Sequence, residues 1–253
     1  MKSEFKQGLK DGIPIALGYL SVSFSIGIMV LAGGMSVFQG ALMSLTNVTS
    51  AGQFAGIRII VASGTILELV MTEFIINLRY ALMSLSLSQK LSDKVSFWQR
   101  LVIAFANTDE IFAVAMAHQK SLTFPYMVGL QSLPIVGWVS GTVLGAVAAD
   151  LMPASLSTAL GVALYGMFIA MVIPAAKKAR PVLIVSALAV IFSCILYYVP
   201  IFNNVSDGIS IIISTVLAAG IGSVLFPVSD ADTAQSDESA DKNSDKNKIK
   251  ETA

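Results

Sequence analysis

Eight apolar runs, approximately Ile13–Leu31, Val37–Ala62, Thr65–Leu87, Phe97–Ala117, Phe124–Ala149, Leu156–Ala176, Val182–Val199 and Ile209–Phe226, occupy most of this 253-residue sequence. A run of about 20 apolar residues rises about 30 Å as a helix, which matches the hydrocarbon thickness of a bilayer. Inside lipid, every backbone N–H and C=O must find its partner within the protein, which favours helices. The expected fold is therefore all-α: a polytopic integral membrane protein of seven or eight spans. Composition agrees, with 55% hydrophobic and only 13% charged residues and a mean hydropathy of +0.76, against roughly 25% charged in a soluble domain.

The runs divide the chain into a basic N-terminal segment (1–12), a transmembrane transporter domain (13–226) and a polar C-terminal tail (227–253). The first run is longer than the apolar core of a signal peptide and has no clear small-residue cleavage site behind it, so it reads as a retained span. After Phe226-Pro227 come seven acidic and four basic side chains with almost no apolar residue. Such a tail cannot offset its ordering entropy by burial and is expected to be disordered.

Net charge is zero, so no basic patch suggests nucleic acid. The single cysteine, Cys194, lies in an apolar run. It leaves no intrachain disulfide and no cysteine cluster for a metal. No nucleotide fingerprint is present, and no cofactor is expected. Lysine and arginine gather at the N-terminus, at Lys90, Lys94 and Arg100, at Lys120, and at Lys177, Lys178 and Arg180. A cytoplasmic N-terminus explains most of this. Eight strictly alternating spans would, however, put Lys90–Arg100 outside, a conflict that points to broken or re-entrant segments in the first half.

Two such breaks are visible. Asn107-Thr108-Asp109-Glu110 interrupts a run with nothing charged on either side. One Asp near the centre of a spanning helix costs roughly 2.5–3.5 kcal/mol on the gentlest insertion scale, so the pair reads as functional. Asn107 and Glu110 have capping-box spacing, which predicts a helix starting there. Thr46–Gln53 repeats the pattern, with Ser50 and Gln53 at the same spacing. Helices that begin mid-membrane offer N-terminal amides to a substrate carboxylate and unwound carbonyls to a cation. The alternative is an intact helix whose hydroxyls bond the preceding turn.

The third run is the most polar. On helical spacing Glu73, Asn77, Tyr80 and Ser84 share one face, while Glu68, Thr72, Arg79 and Ser86 share another. Glu68 and Arg79 lie about 16 Å apart along a helix, too far to pair. Arg58, Asp109 and Glu110 are the available partners. The planar fork of Arg79 suits a substrate carboxylate or a fixed acidic partner. His118 reads as interfacial, and Gly141 and Gly145 as small residues that let helices approach closely. Gly8-Leu9 with Pro14, and Gly129-Leu130 with Pro134, suggest an internal repeat, extended weakly by Gly52-Gln53-Phe54 and Gly166-Met167-Phe168.

Taken in order, Gly8-x5-Pro14, Ala51-Gly52-Gln53-Phe54, Asn77-Leu78-Arg79-Tyr80, Thr108-Asp109-Glu110-x-Phe112-Ala113, Gly141-Thr142-x-Leu144-Gly145-Ala146 and Gly166–Ala170 resemble the AzlC-type branched-chain amino acid permeases over residues 8 to about 226. The resemblance implies a multi-pass permease of the bacterial cytoplasmic membrane that exports valine, leucine or isoleucine, usually with a small AzlD-type membrane subunit. Val48-Thr49-Ser50, Tyr80 and Ser21 depart from the family pattern, which bears on substrate identity.

The sequence thus gives a transporter of a small amphoteric solute. Ser50, Gly52, Gln53, Asn77, Arg79 and Tyr80 are the candidate substrate-binding residues; Asp109, Glu110 and Glu73 are candidates for coupling or charge relay. The alternative from another class is a non-transporting assembly subunit whose intramembrane charges pair across an interface. A membrane enzyme has less support, because no nucleophile–base constellation or metal cluster is apparent.

Overall fold

The computed structural model describes residues 2–151, 166, 169, 172–174, 176–177, 179–202 and 205–227. These residues form helices α1 (Lys2–Ala32), α2 (Val37–Thr46), α3 (Ser50–Val61), α4 (Ile66–Lys90), α5 (Phe97–Phe105), α6 (Asp109–Ala117), α7 (Phe124–Leu151), α8 (Arg180–Tyr198) and α9 (Asp207–Leu225), with a short 3-10 turn at Pro200–Phe202. No strand occurs among the described residues. The expected tail beyond Pro227 and most of the sixth apolar run lie outside them. α1 begins at Lys2 and continues through residue 12 without a break, so the described part of the basic segment is the first turns of the first span.

By contact the chain divides into two units, residues 1–172 with 204–212, and residues 173–203 with 213–253. The second holds α8, the 3-10 turn and the larger part of α9, where Val185 packs against Gly222. α1, α7, α8 and α9 are each long and apolar enough to cross a membrane. α4 has 25 residues and about the same reach, roughly 38 Å, but is too polar to qualify on composition.

The first unit is built on α1 and α7, which run parallel. Gly8 and Gly12 lie against the backbone of Tyr126 and Leu130, Gly27 against Thr142, and Gly137, Gly141 and Gly145 against Ala16, Leu20 and Phe24. A Cβ at Gly12 would come 2.6 Å from the Leu130 carbonyl oxygen, so the glycines are what allow the two backbones to touch. The close approach expected of Gly141 and Gly145 is present.

Both expected breaks occur, and each divides its run into two helices that fold back on each other. In α2 and α3, Gln53 Nε2 donates to Ser44 Oγ at 2.8 Å, whereas nine residues of continuous helix would separate them by about 13 Å. Val61, at the end of α3, lies beside Gly33, just after α1 ends, and Ile57 packs with Ile26 and Val30. This hairpin therefore enters and leaves at the end where α1 finishes. α5 and α6 mirror it from the other end: Leu91 and Leu122, flanking the hairpin, share a backbone bridge, Ser92 N–H donates to the Leu122 carbonyl at 2.9 Å, and α7 starts two residues later. The Val37–Ala62 and Phe97–Ala117 runs are thus re-entrant hairpins. Each half is only 9–12 residues long, or about 14–18 Å, so the tips lie near the bilayer centre.

This removes the charge conflict. α4 starts beside the first hairpin and ends at Lys90, and Lys2, Lys6, Lys10, Lys90, Lys94, Arg100 and Lys120 all lie at the end where α1 and α7 begin. The positive-inside rule assigns that end to the cytoplasm.

Local sequence explains the hairpins. Ser36 with Gln39 and Ser96 with Gln99 form complete capping boxes at their first helices, and Asn47 and Asn107 sit at the tips; these equivalents are 60 residues apart. α1–α3 and α4–α6 are two copies of one motif, a span followed by a hairpin, in opposite orientations. The repeat visible in sequence links α1 to α7 instead, whose parallel packing it matches; Met167 and Phe168, needed for its second half, lie outside the described residues.

Candidate functional site

The tips of the two hairpins meet α1, α4 and α7 around a cavity of about 430 Å³. Each tip is held by a threonine. Thr49 Oγ1 accepts the Gly52 N–H and Thr108 Oγ1 accepts the Ile111 N–H. The capping residues are thus Thr49 and Thr108, each one residue away from the expected Ser50 and Asn107. The third helical positions, Gly52 and Ile111, have no side chain able to complete a box. The asparagines tie each tip to α4 instead: Asn47 Nδ2 donates to Glu73 at 3.3 Å and Asn107 Nδ2 to Ser84 Oγ at 3.1 Å.

Of the residues singled out in the sequence, Ser50, Arg79, Tyr80, Asp109 and Glu110 line the cavity. Arg79 Nη1 pairs with Asp109 Oδ2 at 2.7 Å, and its Nη2 donates to the Tyr80 hydroxyl at 3.1 Å while the guanidinium lies over that ring. Asp109, rather than Glu110, is therefore the partner Arg79 needed. Glu68 accepts the Gly208 N–H, and Arg58 pairs with Asp207 at 2.5 Å.

The other four candidates stand behind the wall. Gln53 is fully buried: Trp138 Nε1 donates to its Oε1 at 2.6 Å and its own amide donates to Ser44, so it braces hairpin one against α7. Gly52 and Gly56 back onto Glu73. Asn77 Nδ2 donates to Glu73 Oε2 at 2.8 Å.

Tyr19 is the main site residue not identified from sequence. Its hydroxyl oxygen lies 2.5 Å from Thr108 Oγ1 and 2.6 Å from Glu110 Oε2. A phenol has one proton. With Tyr19 donating to the carboxylate, Thr108 donates to Tyr19 while still accepting from Ile111. Trp138 packs edge-on against Tyr19 with centroids 5.2 Å apart, and Pro14, Ile15, Val22 and Val48 complete an apolar wall. Tyr19 carries a weak sequence signal, a phenol within the first apolar run.

The cavity is polarised. α6 begins with two carboxylates in its first turn, whereas α3 begins with none and presents a positive N-terminal end; the Arg79 guanidinium sits beside Asp109. Among the described residues no group of three or more His, Cys, Asp or Glu side chains converges to hold a metal.

A profile described as "AzlC protein" matches residues 14–152, more than half of the chain. The chain belongs to the AzlC family. An uncharacterized membrane protein of Archaeoglobus fulgidus is 30% identical over 175 residues, covering 68% of this chain and 76% of that one. The inner membrane protein YgaZ of Escherichia coli is 26% identical over 192 residues, 73% of this chain and 78% of its own length. An uncharacterized membrane protein of Helicobacter pylori is 30% identical over 44% of this chain and 50% of its own. No solved structure matches. This AzlC-family chain is a membrane protein, and Ser21, Val48, Thr49, Ser50 and Tyr80 all lie in the cavity wall.

Proposed function

We propose that this chain is a secondary transporter that exports branched-chain amino acids, such as valine, leucine and isoleucine, across the bacterial cytoplasmic membrane, working with a small AzlD-type membrane subunit. The observation that carries the reading is the polarised, apolar-walled cavity between two opposed hairpin tips. Its volume of about 430 Å³ falls within the roughly 300–1,000 Å³ of small-molecule sites. A substrate carboxylate lies between Arg79 and the amides at the start of α3, its ammonium group faces Asp109 and Glu110, and its branched side chain packs on Ile15, Val22, Val48 and Trp138.

Arg79 and Asp109 neutralise each other when no solute is present. A zwitterion replaces that pair with two new ones, so no net charge is left unpaired in the membrane, and this favours amphoteric solutes over simple anions or cations. Hairpins entering from opposite ends give each aqueous phase its own gate to one central site, as inverted repeats do in other transporters. Arg79 and Asp109 find their partners in each other within this chain, which favours a substrate site over an assembly interface.

The test is efflux from cells loaded with single dipeptides of valine, leucine or isoleucine, with and without the small subunit. The reading predicts faster release of these amino acids when both chains are present, and loss of that gain with Arg79→Gln. Equal efflux in cells with and without the protein would overturn it.

A further inference from the structure

Glu73 is a membrane-embedded carboxylate that the cavity does not use. It has no ion-pair partner among the described residues, and its Oε2 accepts from two amides, Asn77 Nδ2 at 2.8 Å and Asn47 Nδ2 at 3.3 Å. One of these comes from its own helix, α4, and the other from the tip of the first hairpin. The charged groups on the neighbouring elements are already engaged: Arg58 of α3 with Asp207, Glu68 of α4 with the Gly208 N–H, and Arg79 of α4 with Asp109 of α6. Glu110 of α6 is held by Tyr19 of α1.

Two further features mark the place as built. Glu73 lies against α3 where that helix carries Gly52 and Gly56, and a Cβ at Gly52 would come 2.5 Å from Glu73 Oε2. The glycines thus make room for a carboxyl group between the hairpin and α4. Asn77 Oδ1 is buried without a hydrogen-bond partner, so an acceptor sits beside the carboxylate with no donor to satisfy it.

We propose that Glu73 binds and releases the proton that couples transport to the membrane proton gradient, at a site separate from the amino acid cavity. The inference rests on the transport reading above. When Glu73 is ionised, both amides donate to it and the hairpin tip is drawn to α4. When it takes a proton, it becomes a donor and no longer needs two donors. Turning the Asn77 amide by 180° then places Oδ1 where Nδ2 stood, in line to accept the new O–H, while Nδ2 takes the place of the unpartnered oxygen. The Asn47 contact weakens at the same time, because it no longer ends on a charge, and the first hairpin is released from α4. Proton binding at Glu73 thereby acts on the same tip whose Thr49 and Ser50 line the cavity.

The experiment uses the full chain, with its small subunit where transport requires it, in proteoliposomes loaded with valine. Wild type is expected to accumulate valine when a pH gradient is imposed. Glu73→Gln is expected to lose that accumulation while still exchanging valine when no gradient is present, and Glu73→Asp, which retains a carboxyl group, to recover it. Gradient-driven accumulation by Glu73→Gln would overturn the proposal. If wild type moves no amino acid, the transport reading fails separately, and infrared difference spectroscopy across a pH step still decides the proton site. A protonated-carboxyl C=O band present in wild type and absent from Glu73→Gln supports the site, whereas an identical band in both overturns it.

Discussion

Asp109 and Glu110 are adjacent in sequence but differently held. Asp109 is in an ion pair with Arg79, and Glu110 receives the phenol of Tyr19. A hydrogen bond to a charged group contributes about 1.5–3 kcal/mol. Tyr19→Phe removes a single hydroxyl and leaves Glu110 without that donor. It should weaken valine binding by roughly 10- to 100-fold while the protein still inserts, a difference titration of the purified protein can measure; unchanged affinity would place Tyr19 outside the site. The carboxylates were legible in the sequence because charge inside an apolar run has no packing explanation. Tyr19 was not, because a phenol in a span also suits an aromatic core. Gln53 reads from sequence as substrate-binding, but it is buried behind the cavity wall, where its contacts to Ser44 and Trp138 brace the hairpin.

The broken helices were visible through their hydroxyl and amide residues, yet their direction was not. Whether a chain crosses or turns back is decided by contacts such as Ser44 with Gln53 and Leu91 with Leu122, which no local pattern encodes. The lysines held the only clue. Re-entrance makes a sharp prediction for single cysteines introduced into a variant lacking Cys194. Ser36→Cys and Ser63→Cys should react with a membrane-impermeant thiol reagent from the same side, and Ser92→Cys and Ser121→Cys from the opposite one. Labelling of Ser36→Cys and Ser63→Cys from opposite sides would mean that α2 and α3 cross the membrane. The α1–α7 contact gives a second prediction at this scale. Gly12→Leu forces a side chain against the Leu130 carbonyl, and overpacking typically costs about 1–3 kcal/mol. Thermal unfolding in detergent should therefore occur at lower temperature than in wild type, and an unchanged midpoint would mean that the helices are not in backbone contact.

For the first unit as a whole, two inverted copies of span plus hairpin enclose one polarised cavity, with the lysines of α1, α4 and the loops flanking the second hairpin gathered at one end. The all-α class was readable from apolar length alone. The internal symmetry was obscured because α1 and α4 perform equivalent topological tasks with unlike sequences, one apolar and glycine-rich, the other carrying Glu68, Glu73 and Arg79. In the proposed transport cycle this cavity recognises both charges of an amino acid at once. Binding of valine, isovalerate and isobutylamine to the purified protein tests it directly, because the last two keep the branched carbon chain but lack the ammonium and the carboxylate respectively. Valine should bind and neither analogue should compete with it. Binding of isovalerate or isobutylamine as tight as that of valine would show that the cavity does not require both charges.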